Sequence, residues 1–245
     1  MSLAIYPLNV GEVEVDFSFL VWQTNCGNPT YVPSTSWLIT GGAKPILVDS
    51  SFRSAKDVKA YSGLNARRSP EQTLEAQLAK HNLKPSDIGY VIHTHLHLDH
   101  CGLDDQLPNA RILLQRAELQ YAAAPLFPVP FYDRQDIAKL VGTLWDRVEL
   151  LDDESELFPG VRTVFTGGHT PAHQMIYVEV PSGTAVITGD AAYIAAINVK
   201  QQVPMGYFVN LHQVMAALKR IAQDGKHVLP THDAEVYKLY PEGIR

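Results

Sequence analysis

Only two cysteines, Cys26 and Cys101, stand among 245 residues. They are far apart in the chain, which allows one disulfide and excludes a disulfide scaffold, so free thiols are expected. Positive charge is also scarce: Lys and Arg total 20 against 26 Asp and Glu, for a net charge of -6. Gripping nucleic acid or an anionic membrane rests on clustered Lys and Arg, so neither is expected and a small neutral or weakly polar partner fits better. No apolar run approaches the ~18 residues of a membrane span, and residues 1–7 lack the basic-then-apolar order of a secretion signal. A soluble, cytoplasmic chain is the expectation. Low-complexity tracts, linker-like shifts in composition and short-period repeats are missing too. With 46% hydrophobic and 19% charged residues, residues 1–245 are expected to form one domain of two packed αβ halves.

Short apolar stretches at Ala4 to Leu8, Val13 to Phe17, Trp37 to Thr40 and Ile46 to Val48, the last two separated by Gly41-Gly42, predict strands joined by tight turns. Thr24 to Pro33, rich in Asn, Gly and Pro, predicts a surface loop. Ser69-Pro70-Glu71-Gln72 has the form of a helix start, with Leu74, Leu78 and Ala79 on one face and an end near Asn82. Ile88 to Thr94 is β-branched and apolar and predicts a buried strand. Beyond it the pattern runs strand (Arg111 to Leu114), helix (Arg116 to Ala123), an aromatic and proline-rich segment (Pro125 to Tyr132), and a helix through Ile137, Leu140, Val141, Leu144 and Trp145. Strands follow at Arg162 to Phe165, Gln174 to Val180 and Ala185 to Thr188. Asn210 opens a helix carrying Val214, Leu218 and Ile221, ended by Gly225, and His227 to Leu229 is a last strand.

The most informative stretch is Thr94-His95-Leu96-His97-Leu98-Asp99-His100. Three imidazoles and a carboxylate, just past the end of a predicted strand, have the composition of a metal site, at the place where sites collect in α/β proteins. Further ligands are expected at other strand-to-loop transitions: His169 in Gly167-Gly168-His169-Thr170-Pro171, Asp190 after Gly189, and His232 in Pro230-Thr231-His232-Asp233. All are good N or O donors for a borderline cation. His93 is expected to support the site from behind rather than to ligate. His81, His212 and His227 are assigned nothing.

The order His95-X-His97-X-Asp99-His100, then His169, Asp190 and His232, resembles the metallo-β-lactamase fold superfamily over nearly the whole chain. The resemblance implies an α/β, four-layer αβ/βα sandwich of two mixed sheets flanked by helices. It implies two divalent metal ions, zinc foremost with cobalt, manganese or iron as alternatives. His95, His97 and His169 would hold one, Asp99, His100 and His232 the other, and Asp190 would bridge them. It also implies that Asp49 supports this shell, although Asp49-Ser50-Ser51 replaces the usual Asp-Thr-Gly. His173 resembles the family's second, non-ligating histidine.

Paired cations about 3.5 to 4 Å apart make hydroxide available near neutrality and polarise a carbonyl or phosphoryl oxygen, so hydrolysis is the expected reaction. Asp99 can ligate and also carry a proton to the leaving group. Tyr193, three residues after Asp190, resembles the quorum-quenching N-acyl homoserine lactonase group, in which a tyrosine at that spacing hydrogen-bonds the substrate carbonyl. The expected activity is therefore opening of a small lactone ring by a metal-bridging hydroxide, with Asp99 and Tyr193 catalytic; the alternative is thioester hydrolysis of the glyoxalase II kind. Leu98 and Cys101-Gly102-Leu103-Asp104 depart from that group and are expected at the mouth of the site. Phe19, Trp22, Phe127, Phe131, Tyr132, Tyr207 and Phe208 are candidates for an apolar acyl pocket, half or more of them being simply core.

Overall fold

The computed structural model describes residues 2–245. Strand β1 (Ala4–Asp16) pairs antiparallel with β2 (Pro29–Thr40), the register slipping between Asn9 and Glu12. The two runs expected at Ala4 to Leu8 and Val13 to Phe17 are thus one bulged strand. Phe17 instead opens the short helix α1 (Phe17–Leu20), because the Asp16 carboxylate accepts from the Ser18 amide at 2.9 Å and caps it. The loop expected to Pro33 is shorter, since β2 already begins at Pro29. Its prolines are tolerated because β2 meets β3 (Ile46–Val48) only at Trp37 to Ile39, leaving its first residues with β1 alone.

Two predicted helices are also shorter than expected. Thr73 leaves the helical region with ψ 147 and caps a new start, so a 3-10 turn at Pro70–Gln72 precedes α3 (Leu74–Ala79). The helix around Ile137 is capped by Asp133 and ends at Leu140; Val141 and Trp145 are exposed while Leu144 packs inward. The helix α2 (Ala55–Ser62) and strand β4 (Asn65–Arg67) were not expected. β5 (Tyr90–Ile92), β6 (Arg111–Gln115), α4 (Arg116–Ala123) and α5 (Arg134–Leu140) follow. Two more unexpected strands, β7 (Val148–Leu151) and β8 (Ser155–Phe158), lead to β9 (Val161–Phe165), β10 (Gln174–Val180) and β11 (Gly183–Gly189). The chain closes with α6 (Leu211–Asp224), β12 (His227–Pro230) and α7 (Val236–Leu239).

One sheet has the order β4-β1-β2-β3-β5-β6-β7 and the other β12-β11-β10-β9-β8. Both are mixed: β3, β5, β6 and β7 run parallel, as do β11 and β12, and the remaining pairs are antiparallel. Alternation along the strands builds four layers. Ile46, Val48, Ile92 and Leu113 of the first sheet face Ile176, Val178, Ala185 and Ile187 of the second in one core. On the outer face of the first sheet, Leu47 and Val91 meet Leu74 and Leu78 of α3, while Ile112 and Leu114 meet Leu119 of α4 and Ile137 of α5. On the outer face of the second, Met175, Tyr177 and Val186 meet Val214, Leu218 and Ile221 of α6. The layers are α, β, β, α. Among the described residues, no helix is long and apolar enough to cross a membrane.

Candidate metal centre

The carboxyl ends of β3, β5, β11 and β12, with the loop from β9 to β10, open onto one rim. Strand β5 ends at Ile92, and the chain then runs through His93 to His100 as loop and turn held at both ends, at its far end by the Ser50 amide, which donates to the His100 carbonyl at 2.6 Å. The Asp49 amide donates to the Ile92 carbonyl, the Thr94 amide donates to the Asp49 carboxylate at 2.8 Å, and the Gln174 amide donates to the Thr94 carbonyl. Gly189 must be glycine: its φ is +50, and a Cβ there would lie 2.7 Å from the Thr94 side chain. That close approach delivers Asp190 into the rim.

All seven residues expected to ligate meet there. Donor atoms of His95, His97, His169 and Asp190 lie within 4.8 Å of one another, and those of Asp99, His100 and His232 do so beside them. The Asp190 carboxylate stands between the groups. Its Oδ2 lies 3.3 Å from His169 Nε2 and 3.7 Å from His95 Nε2; its Oδ1 lies 3.3 Å from both His100 Nε2 and His232 Nε2. Asp99, the most exposed of the seven, reaches 3.6 Å from His232 Nε2.

The imidazoles are fixed from behind. His100 Nδ1 donates to Asp49 Oδ2 at 2.8 Å, His169 Nδ1 to the Tyr207 carbonyl at 3.0 Å, and His232 Nδ1 to the Pro33 carbonyl at 2.7 Å. His95 Nδ1 lies 3.1 Å from Thr94 Oγ1, which itself donates to Asp49. With Nδ1 carrying the proton, the lone pair of each ring sits on Nε2 and points inward. His95 Nε2, His100 Nε2 and Asp190 Oδ1 are buried with no hydrogen-bond partner, and His97 Nδ1 faces His169 Nε2 at 3.1 Å. Buried donors without partners are costly unless something of positive charge sits among them, so the residues fit two divalent cations. Burial, and then the neighbouring imidazole of His100 for His95 and of His169 for His97, hold both well below the usual imidazole range, which keeps them neutral donors. Against burial, His100, His232 and His169 hold the Asp190 carboxyl far below its usual range.

The residues expected to support the site lie beneath the ligand loop, and one expectation needs correction. Asp49 holds both Thr94 and His100. His93 is bonded to Asp104 at 2.9 Å and lies 3.6 Å from Asp49; against burial these carboxylates push it up to about 9. His173 accepts from the Asp190 amide at 3.1 Å through Nε2, so its lone pair is spent and it does not join the donors. Cys101-Gly102-Leu103-Asp104 turns away from the mouth. Cys101 packs beside Leu96 and Ile112, and Asp104 accepts from Ser50 beneath the loop; both cysteines are free thiols, Cys26 exposed and Cys101 buried.

A cavity sits over the carboxylates, lined by Leu98, Asp99, Asp190, Tyr193 and His232 and walled by Val13, Val15, Phe19, Phe131 and Tyr207. Of the candidate acyl-pocket aromatics, Phe19, Phe131 and Tyr207 line it. Trp22 packs edge-on against Phe208 and is exposed, Phe127 points to solvent, and Tyr132 is buried and donates to Glu118 at 2.9 Å. The Tyr193 ring centroid lies 5.1 Å from that of His232. Burial, followed by Asp190 and Asp99, pushes its phenol well above the usual range, so it stays protonated as a donor. Glu118 was missed: buried on α4, it accepts from the Leu96 amide, from Tyr132 and from Thr170 at 2.7 Å, tying the loops of His95, His97 and His169 together. A charged residue at a helical position carries no sequence signal of such a role. The Pro33 and Tyr207 carbonyls were equally invisible, being backbone.

Clustered imidazole and carboxylate donors at the open rim of an αβ/βα sandwich define a metal-dependent hydrolase. Residues 29–232 match the model of the metallo-beta-lactamase superfamily, and the chain belongs to that family. It is 32% identical to an N-acyl homoserine lactonase of Azorhizobium caulinodans over 98% of this chain and 96% of that one. A Bacillus cereus N-acyl homoserine lactonase is 27% identical, with 98% of each chain covered. The solved structure of an N-acyl homoserine lactone hydrolase, with N-hexanoyl-L-homoserine at its catalytic metal centre, superposes with a TM-score of 0.84 at 24% identity over both whole chains. That last likeness concerns the fold.

Proposed function

We propose that this chain, acting as one hydrolase domain, opens the ring of N-acyl homoserine lactones or similar small lactones, using two divalent cations with zinc foremost. His95, His97 and His169 would hold one, Asp99, His100 and His232 the other, and Asp190 would bridge them. When bound, the pair supplies hydroxide at neutral pH and polarises the carbonyl. The observation that carries this reading is the shared cavity: Tyr193 lines it together with Asp99, Asp190 and His232. A small ester carbonyl seated there meets a protonated phenol on one side and carboxylates on the other.

Each residue then has a task. Tyr193 donates to the carbonyl oxygen and holds the negative charge that grows on it, a contribution of about 2.7 to 4 kcal/mol for one preorganised donor. Oxygen from water adds to the carbonyl carbon, and the ring C–O bond breaks. Asp99 takes the proton of the attacking water and delivers it to the departing alkoxide oxygen, leaving an open hydroxy acid. Phe19, Phe131 and Tyr207 keep bulk water from the reacting carbonyl and offer apolar surface to an acyl chain. His93 and Asp49 hold the ligand loop in place. The test is a hydrolysis screen of lactones, thioesters, β-lactams and phosphodiesters with metal-reconstituted protein. Lactones are expected to be opened fastest; activity confined to β-lactams or phosphodiesters would overturn the reading.

A further inference from the structure

Five residues beyond Tyr193 stands Asn198, fully buried, in the π-type turn Ala195–Val199. Its Oδ1 accepts from the Tyr193 amide at 2.9 Å and the Ile194 amide at 2.7 Å. Its Nδ2 donates to the Leu20 carbonyl at 3.1 Å and the Val203 carbonyl at 3.0 Å. The side chain thus makes two acceptor and two donor bonds, and no hydrophobic or charged residue of its size offers that set. Leu20, at the end of α1, lines the cavity that Tyr193 lines. One amide therefore fixes the backbone under the phenol and ties it to α1, another part of the cavity lining. Asp233, next to His232, accepts from the Ala195 amide at 3.0 Å and steadies the start of the same turn. Wide turns of this kind recur at functional sites, where they aim a side chain that a regular helix would misdirect.

We infer that Asn198 is a positioning residue that sets Tyr193 against the reacting carbonyl, an inference resting on the role proposed for Tyr193. It touches neither the metal donors nor the substrate space, so it acts through the tyrosine backbone. Displacements of about 1 Å at a reacting group can cost on the order of 100-fold in rate. Asn198→Ala is therefore expected to lower kcat by about that factor in the metal-loaded enzyme, with two metals per chain retained and KM little changed. Asn198→Asp keeps the two acceptor bonds under Tyr193 but turns a buried carboxylate oxygen onto the Leu20 and Val203 carbonyls, so it is expected to lose at least as much activity as Asn198→Ala.

The decisive comparison is a double-mutant cycle with Tyr193→Phe on a lactone substrate. Once the phenol oxygen is gone, its aim no longer matters, so Asn198→Ala should cost less than about 3-fold in that background. An equal cost in both backgrounds would overturn the inference while leaving the Tyr193 role standing. If Tyr193→Phe alone turns over every lactone at the full rate, the Tyr193 reading falls first. Amide hydrogen exchange of the unmodified enzyme gives an independent readout. The Tyr193 and Ile194 amides should exchange at least about 100-fold slower than open-loop amides, and lose that protection in Asn198→Ala. Unprotected amides in the unmodified enzyme would show that the anchor is absent, whether or not the variants fold.

Discussion

Asp190 shows at the scale of one residue how little the chain needs in order to organise two groups of donors: each carboxylate oxygen faces its own pair of imidazoles. Behind the donors, Glu118 does similar work through hydrogen bonds. Glu118→Ala would strand the Tyr132 hydroxyl, the Thr170 hydroxyl and the Leu96 amide in a dry interior. At roughly 1 to 3 kcal/mol for each buried unsatisfied group, partly relieved by relaxation, the variant should lose about 3 kcal/mol in urea unfolding. A loss below about 0.5 kcal/mol, the level of an ordinary surface change, would show that this hub contributes nothing. The donors themselves were legible in the sequence, because His and Asp at strand ends declare their chemistry by type. Glu118 and Asn198 were not: a polar side chain on a helix or turn looks the same whether it faces water or holds a loop, and only the fold tells which.

Among elements, the parallel strands β3, β5, β11 and β12 direct their carboxyl ends to a common rim, and α1 with the loop before Tyr207 builds the cavity wall above it. Gly206 joins those two pieces. Its amide donates to the Phe19 carbonyl at 2.8 Å, and a Cβ at Gly206 would fall 1.6 Å from the Ser18 carbonyl oxygen. Gly206→Ala must push α1 away from Tyr207, separating the stacked Phe19 and Tyr207 rings. The expected result is a rise in KM of about 10-fold for long-chain acyl substrates, from roughly 1.4 kcal/mol of lost apolar contact, with metal content unchanged. An unaltered KM across chain lengths would remove Phe19 and Tyr207 from the acyl-binding wall. Most central strands and α6 could be read from periodicity, since buried alternation is strong there. The missed β7 and β8 mix charged and apolar residues at sheet edges, and α2 has only Val58 fully buried. The divided helix at Ser69 to Asn82 reflects a second cap, Thr73, competing with the first.

For the molecule as a whole, stability carries a pH signature away from the rim. Arg53 bridges Asp57, Asp133 and Asp136, and Lys139 pairs with Asp105 and Asp136. Burial, then the neighbouring Asp133, raises the Asp136 carboxyl to about 7 in spite of Arg53 and Lys139. Between its ordinary value near 3.8 and about 7, the folded chain holds a proton that the unfolded chain has released. This group's contribution to stability therefore falls as pH rises through that window. Urea midpoints measured from pH 5 to pH 8 should drop more steeply for the unmodified protein than for Asp136→Asn; parallel curves would contradict the shift.

The most direct measurement on the whole chain is a zinc titration of metal-free protein, with lactone ring opening followed at each step. Activity on an N-acyl homoserine lactone should rise to a plateau at two ions per chain and stay absent without metal. A plateau at one ion, or no ring opening with two bound, would contradict a two-cation lactone hydrolase.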